Sequence, residues 1–137
     1  MNQKIYEKLM QLNKKAYAKY SNFSVACLLE LENNELFNGV NIENFSYGAT
    51  ICAERSAIIN AYLNSKNNNL KIKTFYLITN TDKIYFPCGL CLQMIKEFVH
   101  NDCNFVIYNN LNQFKTFKFT QLFPFSKVIQ FAHVKKD

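Results

Sequence analysis

Two short cysteine motifs constrain this chain more than any other feature of its 137 residues. One reads CAE, from Cys52 to Glu54, and the other reads PCGLC, from Pro87 to Cys91. Each motif stands at the start of a predicted helix. Because Cys88 and Cys91 are three residues apart, they share one helical face, and both sulfurs can reach one ion. A fold that also brings in Cys52 would assemble three thiols around a single point.

Zinc is the metal that such a group of thiols favours. Helix starts carry free N–H groups and partial positive charge, which promote ionised thiols, and Zn²⁺ accepts sulfur in tetrahedral geometry. No further Cys or His stands near either motif at a usual ligand spacing, since His100 and His133 fall outside both. Three protein ligands leave one position for water, as in catalytic zinc sites. We therefore expect Cys52, Cys88 and Cys91 to hold a catalytic zinc ion.

The acid of the first motif fits this chemistry. Side chains in the first turn of a helix lean toward its N-terminus, so Cys52 and Glu54 can converge just beyond the helix end. Glu54 would there meet the water held by the metal and carry its protons. A CxxC pair alone is a weak signal that serves structural sites as well. CAE followed by PCxxC is much more specific, because it matches the pattern of zinc-dependent nucleobase deaminases.

The alternation of predicted elements indicates a single α/β domain over residues 1–137. The predicted strands are 23–32, 35–40, 72–79, 103–109 and 114–120, and the predicted helices are 3–17, 51–65 and 88–100. Thr50 is the expected cap of the second helix. Only the link NLNQ separates the last two strands, which is too short for a helical crossover, so they should be antiparallel. We expect one mixed sheet with helices on both faces.

Three longer segments carry a family resemblance: AYAKYSNFSVA, NIENFSYGATICAERSAI and PCGLCLQMI. In order and approximate spacing they resemble the small homotetrameric zinc-dependent cytidine deaminases. The resemblance implies a five-stranded sheet flanked by helices and one zinc ion per subunit. It implies hydrolysis of cytidine or deoxycytidine to uridine or deoxyuridine, with release of ammonia. Pyrimidine salvage and a homotetramer with shared active sites are expected on the same ground.

The resemblance also implies roles for individual residues, beginning with the same three zinc ligands and the same proton shuttle. In the substrate pocket, it implies that Phe23 lines the pyrimidine site and that Asn41 and Glu43 bind sugar hydroxyls. The remaining substrate contacts are the backbone N–H of Ala53 for the base carbonyl, the backbone near Phe86 for the amino group, and Tyr47 for a neighbouring subunit's site.

The resemblance implies that two further residues, Arg55 and Gln93, support the zinc site without binding the metal. Arg55 is the only arginine among sixteen basic residues, and in the resembling family the matching arginine hydrogen-bonds to a ligand sulfur. Its planar guanidinium can serve two acceptors and offset the excess negative charge of three thiolates. Gln93 matches the glutamine that follows PCxxC in the family.

The chain departs from the family pattern at several positions. It has Leu92 where the family usually has arginine and Phe86 where the family has serine. Ala26 and Cys27 stand where the family has small residues. Lys127 occupies the place of a phenylalanine that stacks on a neighbour's substrate. Phe125 and Phe131 are the candidates to replace that ring.

Ordinary roles compete with the functional ones at the less specific positions. Phe23 could be a core residue, Asn41 a turn former and Glu43 a solvated loop acid. Cys27 and Cys103 lie in predicted strands and are expected to be buried packing residues.

Other functions share parts of the pattern. A deaminase acting on a base in tRNA or DNA needs a basic open groove, and the short link before the last strand argues against it. A deaminase of an aminoacylnucleoside antibiotic has the same zinc motif, but NIEN fits a plain ribose better. A zinc-stabilised binding module would leave Glu54 without a purpose.

Charge and hydropathy add expectations about partners and location. The net charge is +6, but the lysines are scattered, which indicates a lysine-rich surface and not a nucleic-acid site. No run of about 18 apolar residues predicts a membrane span. The N-terminal residues lack an apolar stretch of signal-peptide length, so we expect a cytoplasmic protein.

Overall fold

A computed structural model describes residues 3–67 and 70–126 of the chain as one α/β unit. The strands are β1 (Val25–Leu31), β2 (Leu36–Val40), β3 (Ile72–Thr79), β4 (Asn104–Tyr108) and β5 (Phe114–Lys118). The helices are α1 (Gln3–Asn13), α2 (Ala53–Asn64), α3 (Gly89–Lys96) and α4 (Phe119–Leu122), with a short 3₁₀ turn at Tyr47–Ala49.

The five strands form one mixed sheet in the order β2-β1-β3-β4-β5. Strands β3 and β4 are parallel, and every other neighbouring pair is antiparallel. The predicted fold class is therefore confirmed, including the antiparallel pairing of the last two strands. The link between β3 and β4 is long enough for a crossover, and α3 provides it, as parallel neighbours require.

Each face of the sheet carries its own hydrophobic core. On one face, α2 and α3 cover side chains such as Leu29, Phe75 and Phe105. On the other face, Ile5 and Leu9 of α1 pack over the alternate residues of the same strands. Side chains alternate along a strand, so a largely apolar strand such as β3 can contribute to both cores.

One glycine brings α2 unusually close to the sheet. A Cβ on Gly39 of β2 would lie 2.4 Å from the carbonyl oxygen of Ala53 and 2.4 Å from the nitrogen of Ala57. Both alanines are fully buried in the first turns of α2. The missing side chain of Gly39 therefore decides how closely the start of α2, which carries the CAE motif, approaches the sheet.

Several predicted boundaries were wrong. Cys52 and not Thr50 caps α2, because the Thr50 hydroxyl accepts a hydrogen bond from the backbone N–H of Asn44 and holds the preceding loop. The first helix ends at Asn13, and residues from Phe119 onward form α4 and not the end of a strand. Among the described residues, no helix combines the length and the apolar character needed to cross a membrane.

Candidate active site

The two cysteine motifs meet at the starts of α2 and α3. Cys52 is the N-cap residue of α2 and Cys88 that of α3, and Cys91 lies in the first turn of α3. The Cys52 and Cys88 sulfurs are 3.9 Å apart, and those of Cys88 and Cys91 are 3.5 Å apart. The three sulfurs all lie within 4.8 Å of one another.

These distances fit a zinc ion. Bonds of about 2.3 Å from zinc to sulfur in tetrahedral geometry place neighbouring sulfurs about 3.8 Å apart. Within residues 3–67 and 70–126, no other group of three His, Cys, Asp or Glu side chains could hold a metal. The three thiols therefore form one zinc site per subunit, and the geometry leaves a fourth position for a non-protein ligand.

The environment favours ionisation of the Cys52 thiol. A hydrogen bond from the Cys91 thiol, assisted by Arg55 and Cys88, lowers the pKa of Cys52 to about 5, although partial burial opposes the shift. The pKa of Cys91 is raised because its S–H donates to Cys52 and because it is buried. The surroundings of Cys52 thus favour its thiolate form.

Arg55 approaches this thiolate from within α2. Its Nη2 donates to the carbonyl oxygen of Thr50 at 3.1 Å and to the Cys52 sulfur at 3.6 Å. The contact with Cys52 is the main cause of the raised pKa of Arg55. The predicted guanidinium–sulfur contact is therefore present in the structure, and one nitrogen of the guanidinium serves two acceptors.

Glu54 is buried beside the three sulfurs, with only 4% of its surface exposed. Burial raises the pKa of its carboxyl to about 7, and the negative charge on Cys52 adds to that effect. A carboxyl that titrates near neutral pH can both accept and donate a proton under ordinary conditions.

A cavity of about 250 Å³ opens onto these groups. It brings together most of the predicted site residues, which come from several loops and from the start of α2. The predicted residues on its wall are Phe23, Asn41, Glu43, Cys52, Ala53, Glu54, Phe86 and Cys88. Val25 is the first residue of β1 and pairs with Thr79, the last residue of β3. Both line the cavity at this end of the sheet.

Asn41 joins the cavity wall to the start of β1. Its side-chain Nδ2 donates to the carbonyl oxygen of Phe23 at 2.9 Å, and its Oδ1 accepts from the N–H of Val25 at 2.9 Å. The side chain is buried, with 7% exposed. Asn41 therefore connects the end of β2 to the start of β1, and its amide carries a second N–H besides the one bonded to Phe23.

Glu43 is held by the chain segment that precedes β1. Its Oε1 accepts from the backbone N–H groups of Tyr20 at 3.1 Å and Ser21 at 3.2 Å, and its Oε2 accepts from the Ser21 hydroxyl. These bonds, the hydroxyl first, lower the pKa of Glu43. These bonds therefore favour the charged carboxylate and hold it on the cavity wall.

An aromatic wall closes the cavity on the side of α3. The Phe23 and Tyr85 rings meet edge to face at 5.0 Å, and Phe86 packs edge to face on Phe117 of β5 at 5.1 Å. Tyr85 also lines the cavity and was not predicted from the sequence as a wall residue. Its position directly before Phe86 was the available signal.

Several predicted residues lie away from the cavity wall. Tyr47 is 82% exposed on its 3₁₀ turn, and Phe125 is 95% exposed after α4. Gln93 is exposed on α3. Their suggested roles stay predictions, as does the role of Phe131, which with Lys127 and His133 lies outside the described residues.

The remaining cysteines behave as expected. Cys27 and Cys103 are buried in the core below α2 and α3. Burial raises the pKa of both thiols, and the charge of Glu54 adds to the effect at Cys27. His100 is exposed. None of these three belongs to the metal cluster.

Comparisons with known proteins agree with this geometry. Residues 1–107 match the family described as the cytidine and deoxycytidylate deaminase zinc-binding region. The cytidine deaminase of Mycoplasma genitalium is 39% identical over 119 residues, covering 86% of this chain and 88% of that protein. The cytidine deaminase of Mycoplasma pneumoniae is 37% identical over 118 residues, covering 86% of this chain and 87% of that protein.

A solved structure is also similar. The crystal structure of cytidine deaminase from Burkholderia pseudomallei superposes with a TM-score of 0.83 at 29% sequence identity. The match covers 93% of this chain and 100% of that chain.

Proposed function

Because this chain belongs to the cytidine and deoxycytidylate deaminase family and is a zinc-dependent deaminase, we propose that it hydrolyses cytidine and deoxycytidine. The products are uridine or deoxyuridine and ammonia, which would place the enzyme in pyrimidine salvage. The observation that carries the proposal is the meeting of three thiols and the buried Glu54 at one end of a small cavity.

Cys52, Cys88 and Cys91 hold the metal in this proposal. When bound, zinc supplies a Lewis acid that makes a water molecule acidic enough to act as a nucleophile near neutral pH. Arg55 donates to the Cys52 sulfur and so withdraws some of the excess negative charge of three thiolates. A partner of this kind typically tunes a metal site through the ligand it contacts.

Glu54 moves the protons. The carboxylate takes a proton from the attacking water as the bond from oxygen to C4 of the base forms. It delivers that proton to the ring nitrogen N3. It then takes the second proton from the new C4 hydroxyl and gives it to the departing amino group, so that the C4–N bond breaks, the C4 carbonyl forms and ammonia leaves. A pKa of about 7 suits both steps, because neither protonation state is strongly disfavoured at neutral pH.

The rest of the cavity fits a nucleoside. The cavity has a volume of about 250 Å³. This is slightly less than the roughly 300–1,000 Å³ of most ligand pockets, and it suits a small ligand. Phe23 and the aromatic wall would face the pyrimidine, and the backbone N–H of Ala53 at the start of α2 would meet its carbonyl oxygen. The second N–H of Asn41 and the carboxylate of Glu43 would bind sugar hydroxyls.

Charge favours a nucleoside over a nucleotide. The family description also covers deoxycytidylate deaminases, whose substrate carries a phosphate. Among the described residues that line the cavity, the only charged side chains besides the zinc thiols are the acids Glu43 and Glu54. A phosphate would meet these negative charges and no cationic side chain, so we expect cytidine to be strongly preferred to deoxycytidine monophosphate.

We also propose that four copies assemble. Three large apolar side chains outside the cavity wall are more than three-quarters exposed on the single chain: Phe45 at 80%, Tyr47 at 82% and Phe125 at 95%. A homotetramer would cover such rings and could place Tyr47 or Phe125 at a neighbour's substrate. Light scattering at assay concentration tests this, and a monomeric mass with full activity would contradict it.

The decisive experiment is an ultraviolet assay on the purified protein together with its zinc content. We expect about one zinc per subunit and turnover of cytidine and deoxycytidine, with little on deoxycytidine monophosphate or single-stranded DNA. Zinc-loaded protein that leaves cytidine unchanged would refute the proposal. Preference for the monophosphate would instead favour a deoxycytidylate deaminase.

A further inference from the structure

The Ser21 hydroxyl stands between two residues of the cavity wall. It donates to Oε2 of Glu43 over a short distance of 2.5 Å. It also accepts from the backbone N–H of Phe23 at 3.0 Å. Because the bond from Phe23 occupies a lone pair of the oxygen, the serine proton is directed at the carboxylate. The Ser21 hydroxyl thus links Glu43, the proposed sugar ligand, to the backbone of Phe23, whose ring is proposed to face the base.

The Ser21 hydroxyl is one of three donors that restrain the Glu43 carboxylate, and it is the only one that bonds Oε2 among the described contacts. It is partly exposed, and its carboxylate is held by Ser21 and by the N–H groups of Tyr20 and Ser21. A long acidic side chain that is only partly exposed loses rotamer freedom when a ligand needs it in one place. If the Glu43 carboxylate is already held before the substrate arrives, substrate binding does not have to restrict the rotamers of this side chain.

The segment that carries Ser21 is anchored independently of its hydroxyl. Asn22 adopts a left-handed conformation, with φ of 56°, and its N–H donates to the carbonyl oxygen of Ala18. Asn80, just after β3, donates to the carbonyl oxygen of Asn22 and accepts from the N–H of Ser24. Loss of the Ser21 hydroxyl should therefore leave the backbone in place. It removes one of the three hydrogen bonds to the Glu43 carboxylate and the acceptor of the Phe23 N–H.

We propose that Ser21 is a positioning residue that acts through Glu43 to set the affinity for the sugar of the nucleoside. This inference rests on the proposed function, since it takes Glu43 as a sugar ligand. It does not assign Ser21 any contact with the reacting atoms.

The first test is the Ser21→Ala variant. We expect KM for cytidine to rise about tenfold, because one bond to a charged group is lost, while kcat stays within about twofold. For 2′,3′-dideoxycytidine, which lacks both hydroxyls, KM should hardly change. Ser21→Thr keeps the hydroxyl at an exposed position and should restore the parent KM. An equal loss on both substrates would overturn the inference.

The second test is a double-mutant cycle. If Ser21 acts through Glu43, then Ser21→Ala should have no further effect on KM in a Glu43→Ala background. Additive losses would show that the serine acts by another route. Ser24→Ala is the matched control, because that hydroxyl bonds Asn13 at 2.7 Å and not the cavity wall. Its KM should equal that of the parent.

Binding of uridine, measured by calorimetry, separates this inference from the proposed function. Ser21→Ala should weaken uridine binding about tenfold whether or not the parent deaminates cytidine. A parent that binds uridine but does not turn over cytidine would refute the proposed function alone. A Ser21→Ala protein that binds uridine as tightly as the parent would refute the role of Ser21 alone.

Discussion

The two walls of the cavity are built in different ways. The metal wall, formed by the starts of α2 and α3, is held by tertiary packing, and its acid Glu54 is 4% exposed. The sugar wall, formed by the loops around Asn41 and Glu43, is held mainly by bonds between side chains and nearby backbone groups. Both walls present a carboxylate, but burial raises the pKa of Glu54 while hydrogen bonds lower that of Glu43.

This difference suggests a division of labour. A buried wall with shifted pKa values can carry out chemistry, whereas a hydrogen-bonded wall that presents a charged acceptor can recognise hydroxyl groups. We therefore expect substitutions on the metal wall to reduce kcat or stability. Substitutions of exposed groups on the sugar wall should change KM with little effect on either.

The largest expected effect tests the chemistry of the metal wall. Glu54→Gln keeps the size of the side chain but removes the proton carrier, so kcat should fall by roughly 10²–10⁴. Zinc content and uridine binding should be retained. Glu97→Gln, at an exposed site just after α3, is the matched control and should be fully active. Near-parent turnover by Glu54→Gln would contradict the claim that Glu54 carries out proton transfer while Glu43 only binds the sugar.

The next effect tests whether packing holds the metal wall. Gly39→Ala would place a methyl group against the backbone of Ala53 and Ala57, and we expect a loss of about 1–3 kcal/mol in the free energy of unfolding. Displacement of α2 should also lower zinc content. Gly48→Ala is the control, because nothing lies within 4 Å of its added Cβ. Thermal unfolding with zinc analysis measures both, and equal stability of the two variants would contradict the packing argument.

How much of this was predictable from the sequence differs between the walls. The cysteine motifs predicted the metal wall because ligand spacing is local and each motif opens a helix. The role of Gly39 was not predicted, since its close approach to α2 depends on how a helix packs on a strand remote from it in sequence. The sheet class followed from the order of the elements, and the antiparallel pairing of the last two strands followed from their short link. Helix ends did not follow, as Thr50 illustrates.

The sugar wall was predicted only in part. Resemblance to the family pointed to Asn41 and Glu43 as sugar ligands, but it did not reveal that Asn41 clamps β1 or that Ser21 holds Glu43. Those contacts join residues about twenty positions apart through loops, which no periodic pattern encodes. Tyr85 was missed for the same reason, because its edge-to-face contact with Phe23 joins residues that are remote in sequence.

A smaller effect tests how the metal wall is tuned. Arg55→Gln should retain zinc but lower kcat by about 10–100-fold, because Cys52 loses a charged donor. Arg55→Lys should recover part of the loss, since an ammonium group keeps the charge but not the planar geometry of two donors. Uridine binding should stay at the parent level in both variants. Parent kcat in Arg55→Gln would show that the guanidinium does not tune the metal.

The smallest expected effect concerns the stability that the sugar wall gains from Glu43. Hydrogen bonds from Ser21 and Tyr20 lower the pKa of Glu43 in the folded chain. The carboxyl of Glu43 therefore binds a proton more tightly in the unfolded chain than in the folded chain. The stabilisation is therefore complete above the unfolded pKa of about 4.3 and is lost as pH falls through the lower folded value.

Thermal unfolding midpoints of the parent and Glu43→Gln, measured from neutral pH down to about pH 3.5, should reveal this loss. The parent should unfold at the higher temperature at neutral pH, and the two midpoints should converge in acid. In a Ser21→Ala background the difference at neutral pH should already be smaller, because the leading cause of the lowered pKa is absent. A midpoint difference that stays constant with pH would mean that the carboxylate charge does not stabilise the sugar wall. In that case packing of the metal wall would still be supported, but hydrogen bonding to Glu43 would not be what stabilises the sugar wall.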